Sequence, residues 1–558
     1  MSPLASRKER PWWRDAVTYQ IYPRSYADSN GDGIGDVEGI RSRLPYLKSL
    51  GIDAIWISPW YPSPQHDHGY DVSDYMDIEP DYGTLAQAEQ LIKEANEVGI
   101  KLIVDIVPNH TSSDHKWFQA ALKAAPGSPE RNRYIFREGK GPNGDMPPNN
   151  WEAVFGGCAW ERVIEADGKP GQWYLHLFVV EQPDLNWENP EVVAHLEDVL
   201  KFWLDRGVAG FRIDVAHGMF KEAGLPDIRK DPAASMLGTE HKPFWDQEGV
   251  HDIYRSWRKI LDSYPGDRMA VAEAWVSPSE RIARYVRSDE LQNSFNFEML
   301  TTLWDAKEIK TKINNSIDAL EEVGAPTSWV FNNHDVVRSV DRLDLGLTNH
   351  GDTTLSRQGD PKKLNIARGT LRARSAALMT LALPGGTYLY QGEELAVPEV
   401  RDIPEDRLTD PRWKMSGFSD RGRDGCRVPM PWTSNPAGAF GFSTNASLKP
   451  EQAWLPQSPW WGTYAVDTQD GVEGSTLSMY RKALAIRKGE EGLGDGPMEW
   501  IEAGKDVVAF ERPGDFACYI NFGAPIELPS NSQVLVSSGP ITGHTLPTDT
   551  AAWVRLVS

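Results

Sequence analysis

Four short runs put carboxylates and their partners where strands would end: Asp105-Ile-Val-Pro-Asn-His110, Gly210-Phe-Arg-Ile-Asp214, Val271-Ala-Glu-Ala-Trp275 and Phe331-Asn-Asn-His-Asp335. The second carries the most chemistry. Gly210 to Ile213 reads as a short buried strand that delivers Asp214 at its C-terminal end. Arg212 stands two residues earlier, so on a strand its side chain shares a face with Asp214. A guanidinium beside a carboxylate holds it ionised and aims it through charge-assisted hydrogen bonds. Ionised, aimed and at a strand end is what a carboxylate nucleophile needs. An isolated Arg-x-Asp pair also serves to cap a core strand, so the catalytic reading depends on partners from the other runs.

A further oxygen-rich run, Asp28-Ser-Asn-Gly-Asp-Gly-Ile-Gly-Asp36, sets side-chain oxygens at Asp28, Asn30, Asp32 and Asp36, with glycines that let the chain curl. Alternate oxygens turned inward suit a hard cation, Ca²⁺ or Mg²⁺. The glutamate that ends an EF-hand loop is missing, so this is not that module. An ion-free Gly/Asp turn fits the same spacing.

The elements that must position these groups alternate in type. Ala16–Tyr22 reads as a strand, Val37–Leu50 as helix, Gly51–Pro59 as an apolar strand, Leu85–Val98 as helix and Lys101–Val107 as strand. The alternation resumes with a helix over Val192–Arg206, the strand at Phe211, a helix over Val250–Ser263 and a strand over Met269–Ala272. It ends with a helix over Asp305–Val323, a strand over Ser328–Phe331, a helix over Leu364–Leu383 and a strand over Thr387–Tyr390. Continuously apolar strands between helices mean a parallel sheet covered on both faces. With a weak strand near Leu291–Phe297 the count reaches about eight β/α units, an α/β (β/α)8 barrel whose chemistry sits at the C-terminal strand ends. Residues 110–181, rich in Gly, Pro and Asn, form an inserted subdomain after the third strand. Residues 1–109 and 182–488 are the two parts of the barrel, with a loop insertion over 398–450. Residues 489–558 turn to short β-like runs and read as an all-β C-terminal sandwich.

Composition narrows the class of partner. The net charge of −22 argues against nucleic acid or an anionic membrane surface. No run of about 18 apolar residues occurs, and Met1–Arg14 lacks the apolar core of a leader, so a cytoplasmic protein is expected. Cys158, Cys426 and Cys518 are scattered and odd in number, which implies no disulfide framework. No Cys/His spacing suits zinc. Twenty-two Trp and eighteen Tyr are many, and their rings suit sugar faces, although core packing accounts for most of them. The oligomeric state is left open.

In this order, the four strand-end runs resemble the α-amylase superfamily of glycoside hydrolases and transglycosylases. Gln182-Pro-Asp-Leu-Asn186, Gly51–Pro59 and Gly386-Thr-Tyr-Leu-Tyr-Gln-Gly-Glu-Glu394 add further matches, and the resemblance spans nearly the whole chain. Within it, Gln-Pro-Asp-Leu-Asn is similar to the oligo-1,6-glucosidase and α-glucosidase group.

The resemblance implies that Asp214 is the nucleophile, Glu273 the acid/base and Asp335 the carboxylate that holds the substrate 2- and 3-hydroxyls. It implies sugar contacts from His110 and His334, and a stacking tyrosine at Tyr70. Asp71 would bind the 4- and 6-hydroxyls with Arg423 as its partner and Arg427 as the fallback, closing the pocket behind a terminal glucose. Phe178 and Gln182 match positions that shape the −1 and +1 subsites. Asp28, Asn30, Asp32, the Ile34 carbonyl and Asp36 match a structural calcium loop. The expected activity is exo-acting, retaining hydrolysis of short oligosaccharides and disaccharides. Valine at Val215 goes with α-1,6 cleavage in the resembling enzymes. Ala274-Trp275 and His217-Gly218 depart from the group's pattern, so both α-1,4 and α-1,6 linkages are expected. The alternatives are glucosyl transfer or isomerisation (a transglucosidase, a trehalose synthase or a sucrose-acting enzyme) and a non-catalytic partner subunit, which the two carboxylates disfavour.

Overall fold

The computed structural model describes residues 9–229, 242–347 and 359–557; the first residues of the stretch read for a leader lie outside them. Eight parallel strands form the centre: β1 Val17–Ile21, β2 Ala54–Ile57, β3 Lys101–Ile106, β4 Gly210–Ile213, β5 Met269–Ala272, β6 Asn293–Ser294, β7 Ser328–Val330 and β8 Gly386–Tyr390. They are hydrogen-bonded in the order β7-β8-β1-β2-β3-β4-β5-β6. A parallel bridge between Asn296 and Trp329 joins the two ends, which makes the sheet a barrel.

Register explains how the barrel delivers its polar groups. Ile103 pairs with Gly210 and Gly210 with Met269; two residues on, Asp105 pairs with Arg212 and Arg212 with Val271. Side chains alternate between faces. Ala54, Trp56, Ile103, Met269, Val271, Val330 and Tyr388 therefore form one cluster inside the barrel. The alternate residues, Ile55, Ile57, Val104, Phe211 and Ile213 among them, pack outward under the helices. Gly210 is required where it stands, because a Cβ there would lie 2.1 Å from the Met269 carbonyl oxygen.

The helices begin where side-chain acceptors satisfy free N–H groups. Thr84 and Gln87 form a capping box on Leu85–Glu97, Asn189 caps Pro190–Asp205, and Asn365 caps Ile366–Ala382. One expected helix is two: Val37–Ser42 and Leu44–Leu50 are separated at Arg43. Pro45 lacks an N–H and its ring disfavours helix in the residues before it, so the chain starts a new helix there.

Residues between β3 and Pro190 carry a helix, Lys116–Lys123, and a three-stranded antiparallel sheet of Phe136–Arg137, Pro170–Leu175 and Trp160–Ile164. The segment after β8 contains short helices at Pro411–Met415 and Asp424–Arg427. Beyond the helix Thr476–Gly489 the chain forms a five-stranded and a two-stranded antiparallel sheet. Trp553 of the larger sheet donates its indole N–H to the Leu378 carbonyl, which docks that sheet on Ile366–Ala382. Cys158, Cys426 and Cys518 are free. Among the described residues no helix is long and apolar enough to cross a membrane.

Candidate active site

The strand-end carboxylates converge on one buried guanidinium. Arg212 Nη1 donates to Asp105 Oδ1 at 2.8 Å and to Asp214, and its Nη2 lies 2.7 Å from Glu273 Oε2. Three carboxyls thus share one cation at the C-terminal mouth of β3, β4 and β5, and all four groups are buried. Burial pushes the Asp214 carboxyl well up; Arg212 opposes this, while the Glu273 and Asp105 charges add to it. Burial likewise raises Asp105 to about 7 against Arg212. One guanidinium stands among three carboxyls, so burial and mutual repulsion both work against full ionisation of Asp214 and Asp105.

The turn after Asp214 aims a further donor at Glu273. Val215 has φ 41°, a left-handed value that a β-branched residue adopts only when its surroundings enforce it. The result is that the Val215 N–H donates to Glu273 Oε2 at 3.1 Å. Trp275 Nε1–H donates to the other oxygen, Oε1, at 3.2 Å. The Val215 side chain is buried with Phe178 and Trp245.

A second charge cluster faces the first. Asp335 Oδ1 accepts from Arg423 Nη1 and Arg427 Nη2, each at 3.0 Å, and His334 Nε2 lies 3.2 Å from Oδ2. Burial pushes Asp335 up, but the Arg423 and Arg427 charges, with the His334 N–H beside them, outweigh it and hold the carboxyl below the usual range. Arg423 also pairs with Asp410 at 2.7 Å and with Asp67 at 2.8 Å.

This last pair corrects an expectation. The carboxylate that meets Arg423 is Asp67, not Asp71. Asp71 is fully buried beneath the loop, where it accepts from the backbone N–H groups of His66 and Asp67 and from the Ser63 hydroxyl. Its role is to fold the loop that carries Asp67. Arg427, treated as a fallback for Arg423, stands with it on Asp335.

Between the clusters the Tyr70 ring stacks on His334, with centroids 5.2 Å apart and planes 5° from parallel. The Tyr70 hydroxyl donates to Asp105 at 3.3 Å, and Gln20 lies 2.7 Å from His334 Nδ1. His110 is fixed through Nε2 to the Tyr70 carbonyl at 3.1 Å, and its ring lies 5.1 Å from Phe178. Burial lowers His110 to about 4, so it is neutral near pH 7. Gln182 accepts from the Val179 N–H and donates to Asp67 at 3.4 Å. The expected residues therefore gather at one mouth, Asp71 as loop support. Asp67, Asp105 and Asp410 join them although sequence reasoning gave them no role.

The loop Asp28–Asp36 lies apart from this mouth. Asp28 accepts from the N–H groups of Asn30, Gly31 and Gly33, Asp32 from Ile34, and Asp36 from Ser29 and Gly39. Asp28 and Asp36 are buried, and the Asp28 charge, after burial itself, raises the Asp36 carboxyl. Two buried carboxylates that repel each other, in a loop that also carries Asn30 and Asp32, are oxygen donors of the kind a hard divalent cation takes. No group of three or more His, Cys, Asp or Glu suited to a metal occurs among the described residues, so any cation here would rest partly on amide and carbonyl oxygens.

Residues 20–496 match the model of the α-amylase catalytic domain. An oligo-1,6-glucosidase of Parageobacillus thermoglucosidasius is 37% identical, covering 86% of this chain and 84% of its own. A probable α-glucosidase of Rhizobium meliloti (strain 1021) is 36% identical, covering 96% and 93%. The crystal structure of an α-glucosyl transfer enzyme, XgtA, superposes with a TM-score of 0.83 at 34% identity, covering 98% of this chain and all of that one. A barrel with this register, two facing charge clusters at its mouth and relatives alike over nearly their whole lengths make the chain a member of the α-amylase family of glycoside hydrolases.

Proposed function

We propose that the protein is an α-glucosidase that removes terminal α-linked glucose from short oligosaccharides and disaccharides with retention of configuration. The observation that carries this is the sharing of Arg212 by Asp214 and Glu273, which sit at the ends of neighbouring strands. In the first step the Asp214 carboxylate attacks the anomeric carbon while Glu273 gives its proton to the departing oxygen. One C–O bond forms as the glycosidic C–O bond breaks. Water then attacks the same carbon, Glu273 takes its proton, and the ester to Asp214 breaks. Arg423 and Arg427 keep Asp335 ionised to accept the 2- and 3-hydroxyls. The Asp67–Arg423 pair closes the far side of the pocket, which supports exo action and binding of the 4- and 6-hydroxyls.

Val215 supports acceptance of α-1,6 linkages beside α-1,4. The likeness to an α-glucosyl transfer enzyme favours a second outcome of the same intermediate, passage of glucose to a sugar in place of water. Asp28, Asn30, Asp32, the Ile34 carbonyl and Asp36 would hold Ca²⁺ as a structural ion that ties the β1 loop to the segment after β8. The Asp28 N–H already bonds there to the Phe442 carbonyl. Free cysteines and the charge balance favour a cytoplasmic setting.

The test is a time course on maltose, isomaltose, sucrose, trehalose and maltotriose with anomer-resolved products, in wild type, Asp214→Asn and Glu273→Gln. Released α-glucose, with kcat reduced by about 10⁴-fold or more in each variant, is expected. Wild-type turnover of maltose by Asp214→Asn, or β-glucose as first product, refutes the reading.

A further inference from the structure

We infer that Trp275 is a positioning residue for the general acid, setting both the acid strength and the orientation of Glu273 through its indole N–H. The inference rests on the assignment of Glu273 as acid/base and deepens it.

The two Glu273 oxygens differ. Oε2 meets Arg212 Nη2 at 2.7 Å and the Val215 N–H at 3.1 Å, both of which are donors only. A proton on Oε2 would crowd three hydrogens around one oxygen. Oε1 is therefore the oxygen able to carry the proton to a glycosidic oxygen, and its partner is Trp275 Nε1 at 3.2 Å. An indole N–H donates and never accepts. It interacts more strongly with the carboxylate left after proton transfer than with the neutral acid. Trp275 thus strengthens Glu273 as an acid and, by the same amount, weakens it as a base.

The indole is fixed well enough for this. Its ring is half-buried and lies flat on Phe297, with centroids 3.8 Å apart and planes 12° from parallel. Phe297 belongs to the apolar cluster inside the barrel. The other charged or titratable groups acting on Glu273 are Arg212 and Asp214 at the end of β4, Asp105 on β3, and His217, buried beyond Asp214. None of them donates to Oε1 in the structure, and Trp275 is the group that substitution can remove without altering the charge of the cluster.

Trp275→Phe keeps the stacked ring and deletes the donor. The basic limb of the kcat/KM pH profile should move up by about one unit. At neutral pH, kcat/KM for maltose and isomaltose, whose leaving groups need protonation, should fall roughly tenfold. For 2,4-dinitrophenyl α-glucoside, whose leaving group does not, it should change less than about threefold. Phe297→Leu, which loosens the stack but keeps the donor, should leave the basic limb where it is. In the Glu273→Ala background Trp275→Phe should have no further effect, because two changes acting through one group are not additive. An unshifted limb, equal losses on both substrate types, or additive effects overturn the inference. If Glu273→Ala hydrolyses maltose like wild type, it is the acid/base assignment that fails. Should Trp275→Phe not fold, Trp275→Leu, which has no side-chain donor, is held to the same outcomes.

Discussion

Asp67 and Asp71 lie four residues apart around the same tyrosine, and exchanging each for asparagine separates sugar binding from loop folding. Asp67→Asn removes the charge that Arg423 meets at 2.8 Å, yet Arg423 keeps Asp410 at 2.7 Å and Asp335 at 3.0 Å. No buried cation is orphaned, so the stability cost falls well short of the roughly 3–5 kcal/mol of a broken buried pair. On the proposed function, what is lost is a charged hydrogen bond to the substrate, about 1.5–3 kcal/mol. That amounts to a drop of roughly 10- to 150-fold in kcat/KM. Asp71→Asn does the reverse. Asp71 accepts from His66 N–H at 2.8 Å, Asp67 N–H at 3.0 Å and the Ser63 hydroxyl at 2.9 Å, and an amide group must turn its own donor toward one of them. One buried donor left unsatisfied costs about 1–3 kcal/mol of stability. Activity per folded molecule should fall less than in Asp67→Asn. The assay is kcat/KM on maltose beside urea denaturation of both variants. If Asp71→Asn loses more activity at unchanged stability, and Asp67→Asn is close to wild type, the clamp is Asp71–Arg423 after all and the geometric argument fails.

Burial, then His195, Lys116 and Arg133, lower His115 from 6.5 to about 3, so the unfolded chain binds a proton that the native one refuses below pH 6.5. Stability therefore falls as pH drops through that window, by about 2 kcal/mol at pH 5 from this group. His115→Asn keeps the acceptor for the Trp117 N–H and should flatten the pH 7-to-5 decline by that amount in urea titrations; parallel declines refute this. Chelation should lower Tm more than kcat, in line with loss of a bound ligand; an unchanged Tm with no metal by elemental analysis counts against the cation loop. Val215→Ala and Val215→Thr should shift the isomaltose-to-maltose kcat/KM ratio toward maltose, within the roughly 10- to 200-fold that one or two methyl groups allow. An unmoved ratio makes Val215 a packing residue.

The parts legible in the sequence are those that follow a period. The barrel strands stood out because both faces are buried and the residues are apolar throughout. Arg212 and Asp214 could be paired because two residues on a strand share a face. Asn293–Ser294 was only a weak signal because two residues make too short a run to show any period. The Asp67/Asp71 choice could not be read because it depends on a loop. His68 at φ 50° and Gly69 at φ 102° carry the chain through left-handed conformations between the two aspartates. Arg423 and Arg427 were treated as rivals when the one-turn helix Asp424–Arg427 allows both. Positions four apart lie on one face of a helix, and both guanidiniums reach Asp335.

The division of charge at the mouth suits the proposed reaction. In the proposed reaction the Arg212 cluster faces the breaking bonds, and with one guanidinium for three carboxyls its balance is on the negative side. The cluster that grips hydroxyls sets Asp67, Asp335 and Asp410 against Arg423 and Arg427, with Arg412 close to Asp410, and is near balance. An oxocarbenium-like transition state gains positive charge at the anomeric carbon, and fixed negative charge in a dry site stabilises it without reorganisation. A balanced cluster can orient the ring without opposing that gain. His334 stands between the two, stacked on Tyr70 and bonded to Asp335. Burial lowers its pKa well below the ordinary value; Asp335 opposes this, while Arg427, Arg212 and Arg423 reinforce it. It therefore donates to Asp335 as a neutral imidazole. Burial, reinforced by the three arginines, keeps a second proton off that ring.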